Sequence, residues 1–274
     1  MRIHHLNCGT MCPIGGRLVS GEGSLWSPAK LVCHCLLVET ADGLVLVDSG
    51  LGLDDVARPR ERLGGAFMAA TRWRPDADET AARQIVRLGF SIDDVRHVVP
   101  THLDLDHAGG LPDFPKAKVH IFAAEHDAAM ARATFQERAR YRPAHWAHGP
   151  AFVRYEPRGE PWHGFPCVRD LEGLPPEILI VPLVGHTRGH SAIAVRGDQG
   201  WLLHAGDAYF HRAEMDPTPS CPPALATFQR LVAVDDEQRR QNQGRLRDLV
   251  ARRSSEVTVF CAHDERELER CPRA

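Results

Sequence analysis

The sequence predicts a mixed α/β fold, and three observations carry that expectation. Short runs rich in Val, Ile and Leu alternate with stretches of helical periodicity along the chain. No apolar run approaches the ~20 residues needed to cross a bilayer. The 274 residues, 43% hydrophobic and 25% charged, are enough to bury a substantial core. One elaborated domain over 1–274 is expected.

Taken in order, "LVCHCLLVET" and "LVLVDSGLG" are two β-rich runs, and Asp42 and Gly43 between them suit the tight turn of a hairpin. "DETAARQIVRLGF" places Ala82, Ile85, Val86 and Gly89 at helical spacing, with Gly89 as the C-cap. "DDVRHVVPTH" is a strand stopped by Pro100, so the "THLDLDHAGG" of 101–110 falls on the loop after it. "AKVHIFAAEHDAAMARATFQERAR" is a strand running into a helix, and "PEILIVPLVGHT" and "AIAVRGDQGWLLHAGD" supply at least three more strands. A long, broken helical region, "LATFQRLVAVDDEQRRQNQGRLRDLVARR", precedes the last strand, "EVTVFCAHD". The Pro- and aromatic-rich segment 141–176 has weak periodicity and reads as an inserted surface loop or lid. Its Tyr141, Trp146, Phe152, Tyr155, Trp162 and Phe165 could wall an apolar pocket, pack on themselves, or form the contact of a homodimer.

A net charge of −3 gives no global electrostatic case for nucleic acid or an anionic membrane, so a small-molecule substrate is the expected partner. The amino terminus "MRIHHLNCGTMCPIGG" lacks the basic-then-apolar pattern of a secretory signal, which points to a cytoplasmic protein. Eight cysteines there are reduced thiols rather than a disulfide framework, and they do not form two paired C-x-x-C units. Cys8 with Cys12, or Cys33 with Cys35, could bind metal or react with oxidants; buried, inert thiols are the expectation.

Chemistry gathers at the ends of the apolar runs. His102, Asp104, Asp106 and His107 follow one strand, His186 follows "PLVG", Asp207 follows "LLHAG" and His263 follows "VFCA". An α/β scaffold makes such loops converge. Seven nitrogen and oxygen donors suffice for two cations, and a bridging carboxylate lets the two share one site despite their repulsion.

This ordered set, from "VDSG" through "THLDLDHAGG", "GHTRGHS" and "HAGDA" to "CAHD", resembles the metallo-β-lactamase superfamily, whose signature is H-x-H-x-D-H followed by separated His, Asp and His. The resemblance implies an αββα sandwich with two mixed sheets face to face, helices outside and the metal cluster at one edge. It assigns His102 and His186 to a first metal, with Asp104 where a second histidine usually stands. Asp106, His107 and His263 fall on the second metal, Asp207 bridges, and a hydroxide between the metals is the nucleophile, which Asp106 could orient. Two divalent transition-metal ions are implied, with zinc the first expectation. Asp104 adds a negative charge that would favour manganese or iron, unless it points away and leaves a water-filled position.

Asp48 either orients a ligating histidine or merely ends its strand, His190 is expected to support a ligand, and His204 to be a buried strand residue. Gly109 and Gly110 are expected to give the backbone room beside the cluster. Tyr209 sits near the place of a substrate-contacting tyrosine in lactonases of the family, at a different offset, so it is either catalytic or a packed aromatic. "HAGG", "GHTRGHS" and the late "HD" lean towards the lactonase branch, hence a small lactone or similar ester as substrate. A thioester or phosphodiester hydrolase of the same superfamily and a non-catalytic, metal-bearing binding protein are the alternatives.

Overall fold

Two six-stranded sheets pack face to face in the computed structural model, which describes residues 1–271; the last three residues of the expected 1–274 domain lie outside the described range. The first sheet runs in chain order, β1 (Ile3–Met11), β2 (Leu31–Thr40), β3 (Gly43–Val47), β4 (Val95–Val99), β5 (Lys118–Phe122) and β6 (Ala151–Tyr155). β1 to β3 form an antiparallel meander, and β3 to β6 are parallel. The second sheet contains β7 (Glu160–Trp162), β8 (Phe165–Asp170), β9 (Ile178–Pro182), β10 (Ser191–Gly197), β11 (Gly200–His204) and β12 (Val257–Phe260). Only β11 and β12 pair in parallel there.

The pleat sorts residues between layers. Leu36 and Val38 of β2, with Val45, Val47 and Val99, face Ile178, Ile180, Ile193 and Val195 of the other sheet. Their neighbours Cys35, Leu37, Leu44 and Leu46 point to the outer side and pack on Ile85 of the helix Ala81–Arg87. On the far side, Leu179, Val181 and Leu203 meet Leu246 and Leu249 of the helix Asp236–Arg253. Burial on both faces is why these strands read as continuous apolar runs rather than alternating ones. The result is the αββα sandwich of two mixed sheets flanked by helices. Among the described residues, no helix is long and apolar enough to cross a membrane.

Segment 141–176 corrects the sequence expectation. Instead of a surface loop or lid, it supplies β6, β7 and β8 and carries the chain from one sheet to the other. Tyr141, Tyr155 and Phe165 are core residues, and the Tyr141 hydroxyl donates to Glu125 Oε1 at 3.0 Å. β6 and β7 are short outer strands with exposed residues, so little alternation survives to mark them.

Candidate metal centre

The C-terminal ends of β3, β4, β9, β11 and β12 converge at one edge of the sandwich and carry every residue of the expected cluster. After β4, Pro100 stops the strand, and Asp104 starts the one-turn helix Leu105–Ala108, its carbonyl accepting from His107 and Ala108 N–H at 3.0 and 2.9 Å. That turn presents Asp106 and His107 alongside His102. His102 Nε2 lies 3.4 Å from Asp104 Oδ2, and His186 Nε2 lies 3.1 Å from the same oxygen. Asp207 stands between the two halves: Oδ2 is 3.7 Å from His102 Nε2 and 3.4 Å from His186 Nε2. Its Oδ1 is 3.3 Å from His107 Nε2 and 3.1 Å from His263 Nε2. Asp106 Oδ2 is 3.7 Å from His263 Nε2.

The imidazoles are aimed by their other nitrogens. His107 Nδ1 donates to Asp48 Oδ2 at 2.8 Å, and His263 Nδ1 donates to the Val32 carbonyl at 2.7 Å. His102 Nδ1 lies 3.0 Å from Thr101 Oγ1, whose hydroxyl also reaches both Asp48 oxygens. Asp48 is thus a buried orienting carboxylate, held at φ 54° by bonds to Thr101 and His107. His190 accepts from Asp207 N–H at 2.9 Å and donates to the Leu183 carbonyl, a support as expected. His204 is a buried strand residue that donates to the His34 carbonyl. Gly206 has φ 52°, and a Cβ there would come within 2.7 Å of His190 Nε2, so only glycine lets the Asp207 loop approach. The room made by Gly109 and Gly110 is for the 49–52 loop rather than the cluster: a Cβ on either would strike Gly50 or Ser49.

Asp104 does not point away. Its Oδ2 faces the two histidines and its Oδ1 lies 3.3 Å from Arg140 Nε. Arg140 is itself buried and pinned by two carbonyls, His186 O at 2.9 Å and Val232 O at 2.8 Å. Burial alone would raise the Asp104 carboxyl, but Arg140 and then His102 hold it well below the usual range. The added charge that Asp104 seemed to bring is therefore offset by a neighbouring guanidinium.

Whether cations fit is answered by the polar atoms. His102 Nε2, His107 Nε2, Asp104 Oδ1 and Asp207 Oδ1 are buried without a hydrogen-bond partner, all within the cluster. Burial would lower His107 and raise Asp207, yet Asp207 and Asp48 hold the His107 imidazole well above its ordinary range, and His263 and His107 hold Asp207 well below. Four carboxylates, Asp48, Asp104, Asp106 and Asp207, stand against one guanidinium, and against burial Asp207 holds the His263 imidazole up as it does His107, whereas burial pulls His186 down to about 4. Divalent cations satisfy both deficits.

The cluster forms the floor of a cavity of about 400 Å³, lined by Asp104, Asp106, His186, Asp207 and His263. Its walls are mostly apolar, with Met11, Phe67, Ala70, Phe210, Phe228 and Leu231, and Gln136, Arg140 and Arg142 add polar groups. None of the six aromatics of 141–176 is among them. Tyr209 is also absent: it is fully buried in the outer core of the second sheet, and its hydroxyl donates to Glu267 at 2.9 Å. Its backbone direction, two residues past Asp207, sends the ring away from the cavity, whereas the next residue, Phe210, lines it. The catalytic role considered for Tyr209 is replaced by a packing role.

Sequence reasoning missed Arg140 and Glu125. Glu125 is buried and accepts from Leu103 N–H and Gly189 N–H at 3.0 Å each, tying the 101–107 loop to the 186–190 loop. A charged residue immediately after the apolar run of β5 was the available signal.

Comparison with known proteins agrees with this geometry. Residues 29–263 match the metallo-beta-lactamase superfamily. The chain is 43% identical over 270 residues to the probable metallo-hydrolase Rv2300c of Mycobacterium tuberculosis, covering 96% of this chain and 80% of that protein. It is 23% identical over 225 residues to the N-acyl homoserine lactonase AiiA of Bacillus thuringiensis subsp. kurstaki, covering 78% and 82%. A solved structure of an N-acyl homoserine lactone hydrolase, with the product N-hexanoyl-L-homoserine at its catalytic metal centre, superposes with a TM-score of 0.70 at 20% identity, over 99% of this chain and 96% of that one. The chain belongs to the metallo-beta-lactamase superfamily.

Proposed function

We propose, for this member of the superfamily, a metal-dependent hydrolase that opens a small lactone or similar ester carrying an apolar substituent. The observation that carries the reading is the union of a buried His/Asp cluster with a cavity whose walls are mostly apolar and whose floor is charged. His102, Asp104, His186 and Asp207 would hold one divalent cation, and Asp106, His107, His263 and Asp207 the other. When bound, such cations supply Lewis acidity to a substrate oxygen and bring the pKa of water down towards neutrality. The chain's own residues do the rest. Phe67, Phe228 and Leu231 hold the substituent and exclude water, and Asp106, in the cavity floor, is placed to take up the proton released in hydrolysis. Zinc is the cation we expect, and the similarity to lactonases supports the lactone over other esters.

The test is metal-loaded protein against a panel of lactones, carboxylic esters, thioesters and phosphodiesters. Fastest turnover of a lactone with an apolar arm is the expected result. A phosphodiester or thioester as the fastest substrate would overturn the substrate class, and tight binding with no turnover across the panel would instead make this a binding protein.

A further inference from the structure

Cys33 is buried, as the sequence leads one to expect of its cysteines, and it lies against the candidate metal centre. Its Sγ, a carboxylate oxygen of Asp106 and a ring nitrogen of His263 all lie within 4.8 Å of one another. Donors sharing one ion at ~2.0–2.3 Å stand up to about 4.6 Å apart, so the triangle matches a coordination site with little movement. The arrangement is built rather than accidental. Val32 N–H donates to the His263 carbonyl, the Val32 carbonyl accepts from His263 Nδ1 at 2.7 Å, and His34 N–H donates to the Ala262 carbonyl at 2.9 Å, so the residues on either side of Cys33 are laced to the segment that carries His263. Cys33 N–H donates to Asn7 Oδ1, which fixes the β2 backbone from the other side. The thiol itself is buried and makes no hydrogen bond among the described residues. Gly9, at φ 151°, leaves it room, since a Cβ there would sit 3.3 Å from Sγ.

We propose that Cys33 is a sulfur donor to the cation held by Asp106 and His263, an assignment that rests on the metal-dependent reading of this site. On coordination the thiol gives up its proton to solvent and binds as thiolate. The Asp106–His263 half then has mixed oxygen, nitrogen and sulfur donors, while the His102–Asp104–His186 half has only oxygen and nitrogen. Soft sulfur biases its position towards zinc over manganese, and the other half carries no such bias.

The test loads the full chain with cobalt(II) and reads its absorption. Thiolate ligation gives an intense near-ultraviolet charge-transfer band that oxygen and nitrogen donors do not. The band is expected in the native protein, lost in Cys33→Ser and Cys33→Ala, and retained in Cys8→Ser and Cys35→Ser. Elemental analysis of the same samples gives the stoichiometry. Two cobalt ions without the band, or a band that survives Cys33→Ser, overturns the assignment of Cys33 alone. A chain that takes up no metal overturns the metal-dependent reading with it. Should both Cys33 variants fail to fold, the native spectrum and the Cys8 and Cys35 variants still decide: loss of the band in either control moves the sulfur elsewhere and overturns the proposal.

Discussion

On one side of Asp207, around Asp104, the cluster is balanced by a charge; on the other, around Asp106, His263 is aimed by one main-chain carbonyl and His107 by Asp48, and a thiol lies beside them. Arg140 stands 3.3 Å from Asp104 and is fixed by carbonyls from two other segments. Nothing comparable approaches Asp106 among the described residues; its neighbours are His263, oriented by Val32 O, and Cys33. The lesson is that a carboxylate in place of an imidazole does not by itself change the charge of a site. A carboxylate accompanied by a buried guanidinium is nearly neutral as a pair, so the added charge expected of Asp104 acts in full only if Arg140 is removed.

The largest expected effect lies at the residue both halves share. Asp207→Ala should reduce bound metal from about two ions per chain and cut hydrolysis at least about 100-fold. Elemental analysis and steady-state rates check this, and unchanged values would dissolve the two-half description. Asp48→Asn loosens only the aim of His107 and should weaken metal affinity about 10-fold or more, read by chelator competition.

Arg140 sharpens the comparison more selectively. Arg140→Gln leaves Asp104 unbalanced and should move metal preference towards manganese or iron, while Asp104→His with Arg140→Gln should restore the preference of an all-histidine site. A coupling of about 1 kcal/mol or more between the two changes is expected from the double-mutant cycle. Strict additivity, or an unaltered preference and pH profile in Asp104→His, would show that the pair does not act on the metals.

The smallest effect on hydrolysis is expected at Glu267, which supports the segment carrying His263 by accepting from Cys261 N–H and the Tyr209 hydroxyl. Burial, and then Asp264, push its carboxyl up to about 7 from 4.5. The folded state therefore favours the protonated acid. The stability this gives is full below pH ~4.5 and is lost as pH rises through about 7, on the order of 3 kcal/mol. Glu267→Gln should remove that slope from urea unfolding measured between pH 5 and 8 and leave hydrolysis within about two-fold at a fixed pH, because the amide can still accept both hydrogen bonds. A slope that persists in the variant would assign it to another group.

The convergence of the seven candidate ligands, the hairpin of β2 and β3, the break between the helices Pro223–Val232 and Asp236–Arg253, and the supporting place of His190 were all legible in the chain. Most are marked locally: Gly43, Pro100, Gly185 and Gly206 end or interrupt apolar runs ahead of polar residues, and Asp235 caps the second helix. The segment 141–176 was misread because β6 and β7 are short, half-exposed strands whose pairing partners lie far away in sequence or form only a brief hairpin. Tyr209 was ambiguous because the direction of a side chain just past a strand end is not set by periodicity.

By itself, then, the sequence determined which residues could bind metal and the order in which strands deliver them, since strand ends and ligand types are properties of short stretches. Only the tertiary structure decided what surrounds those donors. Arg140 beside Asp104, Glu125 between two loops, Cys33 beside Asp106 and His263, and Tyr209 turned into the core are contacts between segments far apart in the chain. They arise from how two sheets and their helices pack, and the charge balance of a buried site depends on such neighbours.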